Sequence, residues 1–198
     1  MGGREYSVEG LSFQGTHQII QITEKISSGP PHCVELGHSQ PAQLSSEMIQ
    51  KVIMSIKEVL TQFGFINGPT HTEIKIVDNK IYLIEMNARP GGDHIAHPLT
   101  QLSTGYDYLG EALKISAGIK PTVMKEGSSV MHSGVRFVTA QTANLKPIFD
   151  SCGDKTWLFK KHVESEELSE LSHNDCSHTN YFIYCSENIP EELRGEEL

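Results

Sequence analysis

Between His71 and Pro98 the chain reads HTEIKIVDNKIYLIEMNARPGGDHIAHP, and this stretch limits the fold more than any other. Two runs rich in β-branched residues, Thr72 to Val77 and Lys80 to Met86, flank a polar Asp78-Asn79 pair, which predicts a β-hairpin. Side chains two apart on a strand share a face, so Glu85, Asn87 and Arg89 would project together. Glu73 lies on the partner strand. A three-residue loop over Asp78 to Lys80 would pair Val77 with Ile81 and set Glu73 directly across from Glu85. A two-residue Asp-Asn turn would instead pair Glu73 with Ile84 and send the glutamates to opposite faces. Apolar pairing mildly favours the second register, since it matches Ile76 with Ile81 and Ile74 with Leu83. Two opposed carboxylates repel, however, and a fold keeps them together for something that binds between them. The three-residue register is therefore expected, with Glu73, Glu85 and Asn87 holding a hard divalent cation such as Mg2+ and Arg89 gripping a phosphate or carboxylate.

Elsewhere the pattern is that of a mixed α+β chain. Arg4 to Phe13 and Gln18 to Lys25 read as strands around a Gln14-Gly15 turn, and the chain opens almost inside the first of them, which is the expectation for a piece of a longer protein. Ser27 to Pro31 and Ser39 to Pro41 are loop signals, with Glu35 to His38 between them. Ser45 to Phe63 carries apolar residues at helical spacing, and a second helix is expected over Tyr106 to Ala117. Lys120-Pro121 marks an expected boundary between residues 1–120 and a β-rich subdomain over 121–186, with strands at Val130 to Thr139, Trp157 to Val163 and Tyr181 to Cys185. A short helix is expected within Glu164 to Leu171, and residues 187–198 are expected to form a mobile, solvated acidic tail.

Of the net charge of −9, all falls in residues 164–198, which hold ten acidic side chains and one basic, while residues 1–163 hold fifteen of each. No basic stripe is present, which argues against nucleic acid as a partner. No apolar run approaches the ~20 residues of a membrane span, and MGGREYSVEG lacks the features of a signal peptide, so the cytoplasm is the expected compartment. Cys33, Cys152, Cys176 and Cys185 have no CxxC spacing and are expected to be buried or free thiols. His94 and His97 stand three apart, but without further ligands they read as structural or pocket residues rather than a zinc site. Glu5 and Glu9 share strand parity, and two readings stand side by side for them and for Glu24-Lys25: a common cleft or a solvated sheet face.

An acidic residue followed twelve positions later by Glu-x-Asn-x-Arg-Pro-Gly-Gly resembles the metal-binding strand pair of the ATP-grasp superfamily. IEMNARPGGDHI is most similar to its carboxylate–amine ligase branch, the L-amino-acid ligases, and GREYSVEGL and ELGHSQPA resemble segments of that branch in the same order. The resemblance covers roughly residues 4 to 120 well and the rest loosely. It implies the large lobe of an ATP-grasp domain, an antiparallel sheet covered by helices, followed by a smaller, mainly β subdomain. It also implies ATP as co-substrate, Mg2+ (Mn2+ as an alternative) on Glu73, Glu85 and Asn87, and Arg89 on the phosphate or reacting carboxylate. Gly91 and Gly92 would let the backbone approach the substrate. Glu35 would bind the amino group of an amino-acid substrate, and His38 would stabilise the phosphate in transfer. A homodimer is a further expectation. The glycine-rich loop and phosphate lysines of the smaller lobe are not in this sequence, so the isolated chain is expected to lack activity. The rival readings are a biotin-carboxylase-like or purine-biosynthetic enzyme, a non-catalytic nucleotide-binding module, and a structural β-domain that binds nothing.

Overall fold

The computed structural model describes residues 2–29, 33–124, 131–171 and 179–194. Eight strands form one antiparallel sheet: β1 (Arg4–Phe13), β2 (Thr16–Ser27), β3 (Glu35–Gln40), β4 (Gly68–Val77), β5 (Lys80–Asn87), β6 (His132–Val138), β7 (Leu158–His162) and β8 (Asn180–Ser186). Their spatial order is β5-β4-β1-β2-β3-β6-β8-β7. The expected boundary at Lys120-Pro121 falls between elements, and β6 returns to pair with β3, so the sheet runs on across it.

One face of β1, β2 and β4 is apolar. Helix α1 (Ser46–Gln62) lies on it, begun by the Ser45 side chain accepting from the Met48 backbone N–H. Met48, Val52, Ile56 and Leu60, four apart, bury against Tyr6, Val8, Ile22 and Ile74. The other face is partly roofed by Ile95–Leu99, α2 (Thr100–Thr104) and α3 (Tyr108–Ser116). There Ala96, Tyr106, Tyr108, Ala112 and Ile115 pack on Leu11 and Ile20. Beyond β6 lies α4 (Lys146–Ser151), and Phe149, Trp157, Phe182 and Tyr184 close a separate core.

Four expectations are corrected. Glu35 to His38 is not a solvated loop but part of β3, buried along its whole length. Residues 164–171 form no helix, because tertiary partners take their backbone groups: Glu164 and Ser165 N–H donate to Asn180 Oδ1, and Gln141 bonds both the N–H and C=O of Leu171. The acidic segment is held down as far as Arg194, with Leu193 only 4% exposed in the last core and Glu192 paired with Lys155 at 2.8 Å. The fourth concerns Arg89, which lies beyond the end of β5 at Asn87 and so does not continue the face of Glu85 and Asn87. Cys176, Val130 and Pro30-Pro31 lie outside the described residues, as do residues 195–198.

Candidate functional site

Two β-bulges aim the acidic side chains. The β4–β5 turn consists of Asp78 and Asn79 alone, both at positive φ (48° and 60°), as a type I′ turn requires. Val77 therefore pairs with Lys80, Ile76 with Ile81 and Ile74 with Leu83, which replaces the expected three-residue loop by the apolar register. The glutamates face each other nonetheless. The ladder shifts by one residue between Ile74 and Glu73, so that Ile84 is extra on β5 and Glu73 pairs with Glu85, Thr72 with Met86 and His71 with Asn87. Apolar matching sets the turn end of the hairpin, and the bulge resets the other end. The same device operates on β3. Ile26 pairs with Gly37 but Ser27 with Glu35, leaving Leu36 as the extra residue. Three residues apart, Glu35 and His38 would otherwise face opposite ways.

The result is one polar face across five strands. Lys25, 4% exposed at its side chain, places Nζ 2.6 Å from Glu35 Oε1 and 2.8 Å from Glu73 Oε1. Burial disfavours its charge, but the two carboxylates raise its pKa overall. Burial likewise opposes the Glu35 carboxylate, and His38 and Lys25 overcome it, holding the pKa well below the usual range. Glu73 is lowered chiefly by its hydrogen bond with His71, then by Lys25, against its burial. His71 bridges Glu9 (Nδ1, 2.5 Å) and Glu73 (Nε2, 3.3 Å). Although burial disfavours its proton, the bonds to Glu73 and Glu9 lift its pKa to about 9. Glu9 also accepts from the Gly91 backbone N–H at 3.0 Å.

This contact changes the reading of the glycines. A Cβ on Gly91 would lie 2.7 Å from both Glu9 Oε1 and His71 Nδ1, so Gly91 makes room for that pair. Nothing crowds Gly92. Arg89 also differs from expectation, because β5 ends at Asn87; the guanidinium lies on the exposed bend beyond, donating to Pro90 O at 2.9 Å.

On the other side of Lys25, His38 Nε2 stands 3.3 Å from Glu35 Oε2. The imidazole is fully buried, and neither nitrogen has an aligned hydrogen bond. Asp93 joins them: one atom each from Glu35, His38 and Asp93 lie within 4.8 Å of one another. The Asp93 pKa is raised, first by burial and further by Glu35, with His38 and Lys25 opposing. His94 behind it is kept neutral, its pKa lowered to about 4 by burial and then by nearby cations such as Lys160, and it lies against the Tyr181 ring at 4.6 Å.

Glu73, Glu85 and Asn87 offer a donor set that fits Mg2+ or Mn2+. Lys25 and His71 both bind Glu73 through Oε1, leaving Oε2 for a ligand. Asn87 Nδ2 donates to Glu85 Oε1 at 2.7 Å, which leaves the amide oxygen and the second Glu85 oxygen. These are three hard oxygens with no sulfur or imidazole among them. Sequence reasoning had no role for His71 or Asp93 and only a general one for Lys25. Strand parity puts Lys25 with Thr23 and Gln21, but only the register through β1 to β4 reveals that this is the side of Glu73.

Residues 1–97 match the model of the ATP-grasp domain. A D-alanine–D-alanine ligase of Flavobacterium johnsoniae is 37% identical over 100 residues, covering 46% of this chain and 30% of that ligase. Among solved structures, the ATP-grasp fold here superimposes on an L-amino acid ligase from Bacillus licheniformis with a TM-score of 0.73 and 22% identity, over 94% of this chain and 47% of the other. A phosphoribosylglycinamide synthetase from Anaerococcus prevotii gives 0.75 at 16% identity, over 96% and 49%. The chain thus shares its α+β fold with these two structures, and spans less than half the length of each of these three proteins. No helix among the described residues is long and apolar enough to cross a membrane.

Proposed function

We propose that this chain is the C-terminal part of an ATP-dependent carboxylate–amine ligase acting on amino acids. In the reaction, a carboxylate oxygen of one substrate attacks the γ-phosphorus of ATP, giving an acyl phosphate and ADP. The amine of the second substrate then attacks the acyl carbon, phosphate leaves, and the nitrogen loses a proton as the amide forms. Glu73, Glu85 and Asn87 would hold Mg2+, which when bound supplies charge neutralisation to the phosphates. Arg89, on its exposed bend, would reach toward the same phosphate or the acyl oxygen. Glu35 receives the substrate amino group, and His38 stabilises the phosphoryl in transfer. Gly91 and Gly92 keep the intervening backbone low. A cytoplasmic location and a homodimer belong to the same proposal.

The observation that carries this reading is the Lys25 bridge, which ties the metal carboxylate Glu73 to the amino-group carboxylate Glu35 through one buried ammonium. It sets the two halves of the chemistry a few ångströms apart. Fold likeness does not separate an amino-acid ligase from a purine-biosynthetic enzyme, since the synthetase superimposes equally well. The Glu35–His38 pair favours the former.

The test is a calorimetric titration of Mg2+-ADP into this chain and into Glu73→Gln/Glu85→Gln. Loss of both carboxylates should weaken metal-dependent binding by about 100-fold or more, beyond the 10–100-fold typical of losing only a supporting partner. Binding indifferent to both glutamates would remove the metal assignment. An amino-acid-dependent release of phosphate, assayed in a protein joining this chain to a nucleotide-binding lobe, checks the reaction itself.

A further inference from the structure

We propose that Asp93 and Glu35 form a two-carboxylate clamp for the primary ammonium group of the substrate, with Asp93 as the residue that makes an amino group a requirement. The inference rests on the amino-acid reading above and extends it to Asp93, which the sequence reading left without a role.

The cluster already shows how it holds an ammonium. Lys25 Nζ sits on Glu35 Oε1 at 2.6 Å, so that carboxylate is built into –NH3+ recognition on one side, and its Oε2 is turned to the other. Lys25 is shared with Glu73, which His71 contacts together with Glu9, so two cations serve three carboxylates before Asp93 adds a fourth. The local balance therefore favours a further positive charge. Burial and Glu35 both push the Asp93 pKa up, the behaviour of a carboxyl group short of a cationic partner.

His38 supplies the independent sign of a ligand. Its ring is completely buried and neither nitrogen has an aligned hydrogen bond; Nε2 stands 3.3 Å from Glu35 Oε2, and a ring nitrogen lies within 4.8 Å of an Asp93 oxygen. An ammonium nitrogen donating hydrogen bonds of about 2.9 Å to two acceptors sets them up to about 4.7 Å apart, a span that Glu35 and Asp93 allow. Asp93 stands on the open side of this trio. It follows Gly92 in a left-handed turn (φ 46°) and is itself exposed, so an entering substrate meets it first. One imidazole and two carboxylates can also take a transition metal, but the Lys25 ammonium against Glu35 disfavours a dication beside it.

The position permits a clean substitution, because Asn adopts positive φ as readily as Asp; Asp93→Asn removes charge and keeps the turn. The experiment is a 1H–15N NMR titration of this chain with glycine, which makes no demand on a side-chain pocket, and with acetate, which lacks only the amino group. Glycine should bind at least about tenfold more tightly than acetate, and Asp93→Asn should erase that difference while leaving acetate unchanged; tenfold is the scale of one charge-assisted hydrogen bond. Equal binding of glycine and acetate, no binding of glycine, or an unchanged preference in Asp93→Asn would overturn the clamp. So would Zn2+ that saturates the three residues and is not displaced by glycine. The readout involves no ATP. Intact glycine selectivity without any ligation would keep the clamp and remove the ligase, whereas turnover with an unaltered amino-group preference in Asp93→Asn would do the reverse.

Discussion

The same three strands, β1, β2 and β4, present two unlike faces. Toward α1 they show Tyr6, Val8, Ile22 and Ile74, a dry surface in which many small contacts share the load. Toward the site they show Glu9, Lys25, His71 and Glu73, all but Glu73 fully buried, in which a few charges carry everything. The apolar face relaxes around a lost methyl group. The charged face has little slack, because each cation there is shared by two carboxylates and removing one weakens both.

The sharpest way to break this comparison is Lys25→Met, which fills similar volume but leaves Glu35 and Glu73 facing each other. It should cost about 3–5 kcal/mol, the range for breaking a buried ion pair from one side, read as the shift in urea midpoint. A loss under about 1 kcal/mol would mean the network is as forgiving as the apolar face. Next comes pH. The folded pKa of His71, about 9, lies above its ordinary value of 6.5. Protonation is thus favoured by the fold, and its contribution is complete below about pH 6.5, falls through the interval, and is gone above about 9. On the order of 3 kcal/mol should be lost across that window, and His71→Gln should flatten the profile. The smallest effect belongs to the other face, where Ile56→Val should cost about 1 kcal/mol at any pH in this range. A pH-dependent cost there would couple the two faces.

The sequence was readable where periodicity is strict. The strand Arg4–Phe13, the helix over Ser46–Gln62 and the β4–β5 hairpin follow from alternation or helical spacing, and the shared face of Glu85 and Asn87 from their parity. Less visible were the features that break periodicity. A bulge leaves no mark in composition, so the turn at Asp78-Asn79 and the facing glutamates looked mutually exclusive, when Ile84 reconciles them. Glu35 and His38, flanked by proline and glycine signals, read as loop although they lie in a buried strand, because polar residues that satisfy one another underground resemble solvated ones in one dimension. The short elements at Ile95–Leu99 and Lys146–Ser151 each contain a proline and are too brief for a periodic signal. The contribution of Asp93 depends on a chain reversal after Gly92 that brings it back to β3, a relation set by tertiary packing alone.

The bulges at Leu36 and Ile84 make the chemistry of this face a matter of odd and even. A strand that grows or shrinks by two residues keeps its carboxylate on the wet side, whereas a change of one turns that carboxylate into the core and brings an aliphatic neighbour out in its place. A single inserted or deleted codon between Asn79 and Glu85 is therefore enough to part Glu85 from Glu73 while the hairpin still folds.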